Sequence, residues 1–191
     1  RGGYRSAYSA EELVFETRER LCALFHGGDA RCVVFAPNIT TSLNLLLKGF
    51  LHPGDHVLVS SMEHNAVMRP LYASGADILA ADTPLFDSDA LVRWFADHLP
   101  EADAAVCTCV SNVFGFILPV EEIAALCRKH SVPLLLDASQ SAGILDLNFP
   151  ALGAAFAAMP ARDLIRLQRG SEKAVRFCSS AFSGISVPED S

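Results

Sequence analysis

With 191 residues, 20.5 kDa, 51% hydrophobic and 19% charged residues, the chain has the bulk for one domain, or one and a half, built on a real core; disorder, collagen and coiled coil are excluded. Its longest uncharged run, residues 104–120, is broken by Asn112, Gly115 and Pro119 and falls short of the ~20 apolar residues of a spanning helix, so no membrane segment is expected. Fifteen basic against 22 acidic side chains leave a net charge of −7, which repels a phosphate backbone and argues against nucleic acid as a partner.

In chain order, Ser9-Ala10-Glu11-Glu12 has the form of a capping box, and Val14, Thr17, Leu21 and Phe25 recur at helical spacing. They predict an amphipathic first helix that ends near Gly27-Gly28. From there short apolar runs alternate with helical patterns. Strands are predicted over residues 32–35, 56–60, 77–81, 104–110 and 133–136, and helices over 41–50, 65–73, 88–98 and 120–130. Pro53-Gly54-Asp55 is a turn ahead of a strand. Pro119 opens a helix with Glu121 and Glu122 in its first turn and Arg128, Lys129 and His130 in its last, charges that complement the helix dipole. Nearly continuous apolar strands, each followed by a helix, imply an α/β fold, a mainly parallel sheet with helices on both faces. Ligands of such sheets gather at the carboxyl ends of the strands.

The six cysteines, Cys22, Cys32, Cys107, Cys109, Cys127 and Cys178, lie mostly inside apolar runs, without disulfide-framework spacing and with no secretory signal ahead of them; a reducing, cytoplasmic setting is expected. Cys107 and Cys109 alternate along a predicted strand and are expected on opposite faces, which argues against a shared metal, and no metal site is expected. Up to Pro160 the chain carries ten basic and eighteen acidic side chains; residues 161–191 carry five and four, with six serines and no clear strand or helix period after Arg176.

Four clusters fall at predicted strand ends. Asn38-Ile39-Thr40-Thr41-Ser42 opens a helix whose free N–H groups and threonine hydroxyls suit a phosphate, and ordinary N-capping explains the same residues. Glu63-His64-Asn65 offers an imidazole that can stack on a flat ring or carry a proton, or simply cap a helix. Ser111-Asn112-Val113-Phe114-Gly115 offers an amide donor, or a turn-forming Asn. Asp137, which ends the apolar run 134–136, is the most informative residue: a carboxylate there is desolvated and calls for a cation or several donors, although a capping Asp is the plainer alternative. Neither G-x-G-x-x-G nor G-x-x-x-x-G-K-[ST] occurs, which demotes a nucleotide-binding reading. Phosphate socket, ring partner, amide donor and buried acid describe pyridoxal 5'-phosphate, whose ring nitrogen the acid keeps protonated.

These motifs, together with Gly54-Asp55-His56-Val57, Arg69-Pro70-Leu71, Leu118-Pro119 and the run Asp137-Ala138-Ser139-Gln140-Ser141-Ala142-Gly143, resemble the class V aminotransferases, specifically the cysteine desulfurase-like group of fold-type I pyridoxal-phosphate enzymes. The resemblance runs from Arg1-Gly2-Gly3-Tyr4-Arg5 to about Pro160 and implies the large domain of that fold. It implies that the amide of Ile39 and the amide and hydroxyl of Thr40 hold the cofactor phosphate and that His64 stacks on the pyridine ring. Asn112 and Gln140 then approach the ring's phenolic oxygen, and Asp137 pairs with the ring nitrogen. It further implies a homodimer and a small amino-acid substrate, by removal of sulfur or selenium from cysteine or selenocysteine, or by amino transfer.

The family next presents a strand ending in a Gly-His-Lys-like turn whose lysine binds the cofactor covalently. Here Phe156-Ala157-Ala158-Met159-Pro160 fits the strand, but Ala161-Arg162-Asp163-Leu164 follows. Of the three lysines, Lys48 and Lys129 fall in predicted helices and Lys173 lies thirteen residues past Pro160. The small C-terminal domain and the loop with the desulfurase's nucleophilic cysteine have no counterpart, and Phe114 replaces a small polar residue common in the family. Residues 1–160 are therefore expected to form a truncated, partial pyridoxal-phosphate-binding large domain and 161–191 a divergent tail read from another frame. An impaired enzyme is expected; the alternative is a noncatalytic dimerisation or regulatory module that retains the fold.

Overall fold

A computed structural model describes residues 5–160 and 183–186. Helix α1 occupies Arg5–Leu24, so Ser9 lies inside the helix and not at its cap. Residues ahead of it already favour the helix, and the capping-box reading is corrected. The expected apolar stripe is buried only in its second half: Leu21 and Phe25 enter the core, whereas Val14 is 44% exposed and is flanked by exposed Leu13 and Phe15.

Downstream, strands and helices alternate as the apolar pattern predicts. Strands β1 (Val33–Ala36), β2 (His56–Val59), β3 (Asp77–Ala80), β4 (Ala104–Thr108), β5 (Leu134–Asp137), β6 (Phe156–Pro160) and β7 (Ser183–Ser186) form one sheet in the order β1-β7-β6-β5-β4-β2-β3. The block from β3 to β6 is parallel, and β7 runs antiparallel to both β6 and β1. Helices α2 (Ile39–Phe50), α3 (Asn65–Ser74), α4 (Ser88–His98), α5 (Val120–His130) and the short α6 (Phe149–Leu152) make the connections. Gly75 and Ser131 end α3 and α5 in the left-handed region, with φ of 78° and 57°, a conformation glycine adopts without the steric cost that serine meets.

Period-two alternation sorts the strand residues onto two apolar layers. Val57, Val59, Ala104, Val106 and Leu135 pack under Leu43 and Leu47 of α2 and Val67 and Leu71 of α3. Leu58, Ala105, Leu134 and Leu136 face Phe95 of α4, Ile123 of α5 and Leu21 of α1. Each fully buried side chain of this kind contributes about 1.5–3 kcal/mol over exposure. Cys107 and Cys109 both belong to the second layer; residues two apart on a strand share a face, so their expected placement on opposite faces is corrected. The tail, read as lacking a strand, contributes β7. Lys173 and Cys178 lie outside the described residues.

Candidate cofactor site

The running direction fixes where side chains can converge. β1, β2, β4 and β5 point the same way, so Ala36, Val59, Thr108 and Asp137 all end at one edge of the sheet, and the residues just beyond them carry the polar clusters.

Asp137 closes β5 directly opposite Thr108 and is 3% exposed. Its Oδ1 accepts from the Ser139 amide at 2.9 Å and from the Ser139 hydroxyl. No hydrogen bond among the described residues engages Oδ2. Burial pushes the acid above its ordinary range, against the two Ser139 bonds and the attraction of His64, which pull it down. A carboxylate held in this way is half satisfied and leaves one oxygen for a cationic donor.

His64 is the N-cap of α3, and its Nδ1 accepts from the Ala66 amide at 3.0 Å. That bond fixes the ring at the head of the helix. The capping alternative thus holds for His64, and it coexists with the residue's electrostatic approach to Asp137.

At the start of α2 the N-cap is Asn38, whose Oδ1 accepts from the Thr41 amide at 2.8 Å and the Thr41 hydroxyl at 3.0 Å. The amides of Ile39 and Thr40 come first in the helix and have no acceptor in the preceding turn. Thr40 is exposed and Ile39 half-buried. These amides and Asp137 share the sheet edge but make no direct contact: β7 and β6 lie between β1 and β5, roughly three strand spacings of ~4.8 Å.

Asn112 sits on a tight loop after β4, closed by the Val110–Ile117 bridge and by the Ser111 amide donating to the Phe116 carbonyl at 2.9 Å. Gly115, at φ 67°, makes that reversal. Asn112 is exposed there, and Phe114 points away to stack edge-on against Phe86 at 5.4 Å. Gln140 is half-buried in the turn after Asp137, where the Ser141 and Ala142 amides return to the Ala138 carbonyl at 3.2 and 3.0 Å.

Glu63 has no role of its own in the sequence reading. Its Oε1 accepts from the Ser60 hydroxyl at 2.6 Å and from the Thr108 amide at 2.9 Å, while Oε2 is sealed from solvent without a hydrogen-bond partner. Asp137 directly ends its apolar strand, whereas Ser60, Ser61 and Met62 separate Glu63 from the end of β2, so the local sequence carries no comparable signal for it.

The family described as Aminotransferase class-V matches residues 1–165. Among curated relatives, the cysteine desulfurase IscS of Vibrio cholerae is 35% identical over 150 residues, covering 73% of this chain and 36% of the relative. That of Glaesserella parasuis is 30% identical over 156 residues, covering 78% and 38%. The chain thus spans less than two fifths of the length of these relatives. The apo structure of a cysteine desulfurase from Thermococcus onnurineus superposes with a TM-score of 0.82 at 21% identity, over 99% of this chain and 46% of that one. The cystine C-S lyase C-DES, solved with its product cysteine persulfide, does so at 0.80 and 24%, over 97% and 49%. The fold is that of these enzymes, and with most of its length matched by the family's sequence pattern the chain belongs to the class V aminotransferases.

Proposed function

We propose that this chain is the cofactor-holding part of a pyridoxal 5'-phosphate enzyme acting on a small amino acid, by carbon–sulfur cleavage or amino transfer, and that as it stands it binds the cofactor without a covalent link and turns over very slowly. The observation that carries this reading is the half-satisfied Asp137 carboxylate, buried at the tip of β5 on the edge where α2 begins, its first two amides without an acceptor among the described residues. A buried carboxylate accepts from a protonated pyridine nitrogen, and helix N-terminal amides donate to a phosphate. The relatives named cysteine desulfurases, and the neighbour solved with cysteine persulfide, support a sulfur-bearing substrate.

When bound, the cofactor supplies an electron sink for negative charge on a substrate carbon. In this reading Ile39 and Thr40 anchor the phosphate through their amides and the Thr40 hydroxyl. His64, held by its own cap bond, lies against the ring face. Asn112 and Gln140 address the ring oxygen, and Asp137 keeps a proton on the ring nitrogen. We place the protein in the cytoplasm as a homodimer.

The reading of an impaired enzyme, and the second reading of a noncatalytic module, both draw on the lysines. Lys48 and Lys129 lie in the last turns of α2 and α5. A helix that crosses back between parallel strands ends at the opposite edge of the sheet, so neither ammonium faces Asp137.

Titration with pyridoxal 5'-phosphate, followed by visible absorbance and borohydride trapping, tests the proposal. Saturable, dialysable binding with no specifically trapped lysine is expected, and Asp137→Ala should weaken it about tenfold or more through loss of a charge-assisted bond. A trapped adduct at one lysine refutes the noncovalent reading. Absence of binding leaves the noncatalytic module, and undiminished binding by the variant removes Asp137 from the site.

A further inference from the structure

β2 and β4 pair only as far as Val59 opposite Val106. Beyond that point the chain turns out of the sheet, and the Thr108 amide, two residues on, has lost its strand partner. Glu63 replaces it: the turn after β2 folds the side chain back so that Oε1 accepts from that amide and from Ser60. Thr108 in turn stands opposite Asp137 in the register, and its hydroxyl reaches the Val110 carbonyl at 3.1 Å and the Asp137 carbonyl at 3.4 Å. Glu63, Thr108 and Asp137 thus form a row across the sheet edge, two acids with one threonine between them.

The donors around Glu63 are placed unevenly. Both fall on Oε1, and Oε2 is enclosed without any. An ionised carboxylate spreads its charge over both oxygens, so this arrangement strands half of it away from any donor or water. A neutral carboxyl instead has one carbonyl oxygen, which takes both donors, and one hydroxyl. The groups facing Glu63 oppose a second charge. Asp137 from β5 repels it, and the Cys107 and Cys109 thiols, on and just after β4, are themselves pushed up by burial, Cys109 to about 12. His64 exerts its pull on Asp137. Burial above all, with repulsion from Asp137, raises Glu63 to about 8 against the lowering effect of its two bonds.

We propose that Glu63 is a positioning residue that keeps its proton beside Asp137, so that the two acids carry one negative charge between them and that charge stays on Asp137, where a cationic ring nitrogen is to be held. The inference deepens the reading of Asp137 given above and rests on it for the identity of the ligand, but the shared charge is a property of the chain alone. Above its titration point Glu63 adds a second negative charge behind the ring site and alters the electronic state of whatever Asp137 holds.

Carboxyl-carbon NMR of the full chain across pH is the first measurement. One carboxyl resonance should titrate near 8, accompanied by a step in the Asp137 resonance at the same pH, and both should vanish in Glu63→Gln, which preserves the neutral shape. Absence of a carboxyl titrating between about pH 6 and 9 overturns the proposal with the wild-type protein alone, whether or not the variant folds. The second is the absorbance of bound pyridoxine 5'-phosphate, which lacks the aldehyde and cannot react with lysines. A spectral step at the pH found by NMR, lost in Glu63→Gln, is expected. A step retained in the variant overturns the role of Glu63. The NMR pair without ligand binding overturns the cofactor reading and the positioning role toward a ring, and leaves only the shared charge.

Discussion

Ser139 decides how much charge the tip of β5 can carry, because it gives Asp137 both an amide and a hydroxyl. The folded-state acid is nevertheless raised, chiefly by burial, so its ionisation counts against folding: the protein is favoured below the ordinary aspartate value and loses that advantage as pH rises through the folded-state one. Ser139→Ala removes a bond to the charged form and raises the acid further. It should cost about 1.5–3 kcal/mol in urea unfolding at pH 7 and distinctly less at pH 3; equal losses at both would show that the hydroxyl is not serving the charge. The burial of Asp137 at a strand end was legible in the sequence because an acid ending an apolar run has few explanations. Glu63 was not, since its partner amide is 45 residues away and only the end of the β2–β4 ladder creates the need for it. Cys107 and Cys109 share a face because residues two apart on an extended chain point the same way.

Between elements, a single arginine clasps α5 to α6. Arg128 of α5 donates to the Ala151 carbonyl at 3.2 Å and also to the Leu152 carbonyl, satisfying the end of a helix of one turn. Gly153 follows at φ 65°, and a Cβ there would sit 2.6 Å from the Arg128 Cδ. Gly153→Ala combines left-handed strain with displacement of that arginine and should destabilise the protein by about 1–3 kcal/mol, read as a lowered urea midpoint with unchanged slope. A loss under about 0.5 kcal/mol would mean that the α5–α6 clasp is soft. Bounds such as 88–98 and 120–130 were readable because caps, charges and apolar period agree there. β7 was not: Ser183-Gly184-Ile185-Ser186 has no apolar run, and what makes it a strand is a neighbour on each side.

Across the whole molecule, that last strand governs cohesion. Among the described residues β1 pairs with β7 alone, Val33 opposite Ser186 through Ala36 opposite Ser183. The parallel block from β3 to β6 holds itself together through adjacent strands and their covering helices. A chain stopped after residue 182 should therefore retain slow amide hydrogen exchange in β4 and β5 while the amides of β1 exchange freely. Protection of β1 in such a chain would show that α1 and α2 fasten it without the strand. The sheet's parallel character was legible from the alternation of elements, but its order was not, since nothing local in residues 33–36 announces a partner about 150 positions away.

That arrangement has a consequence for biosynthesis. A ribbon made early is late to find its place: β1 waits, with its amides and carbonyls unpaired, until residues about 150 positions further along have been translated. During that interval it is a sticky margin available to any other extended peptide. A holding chaperone acting on nascent chains should therefore matter more to the yield of this protein than to that of one whose opening strands zip together at once.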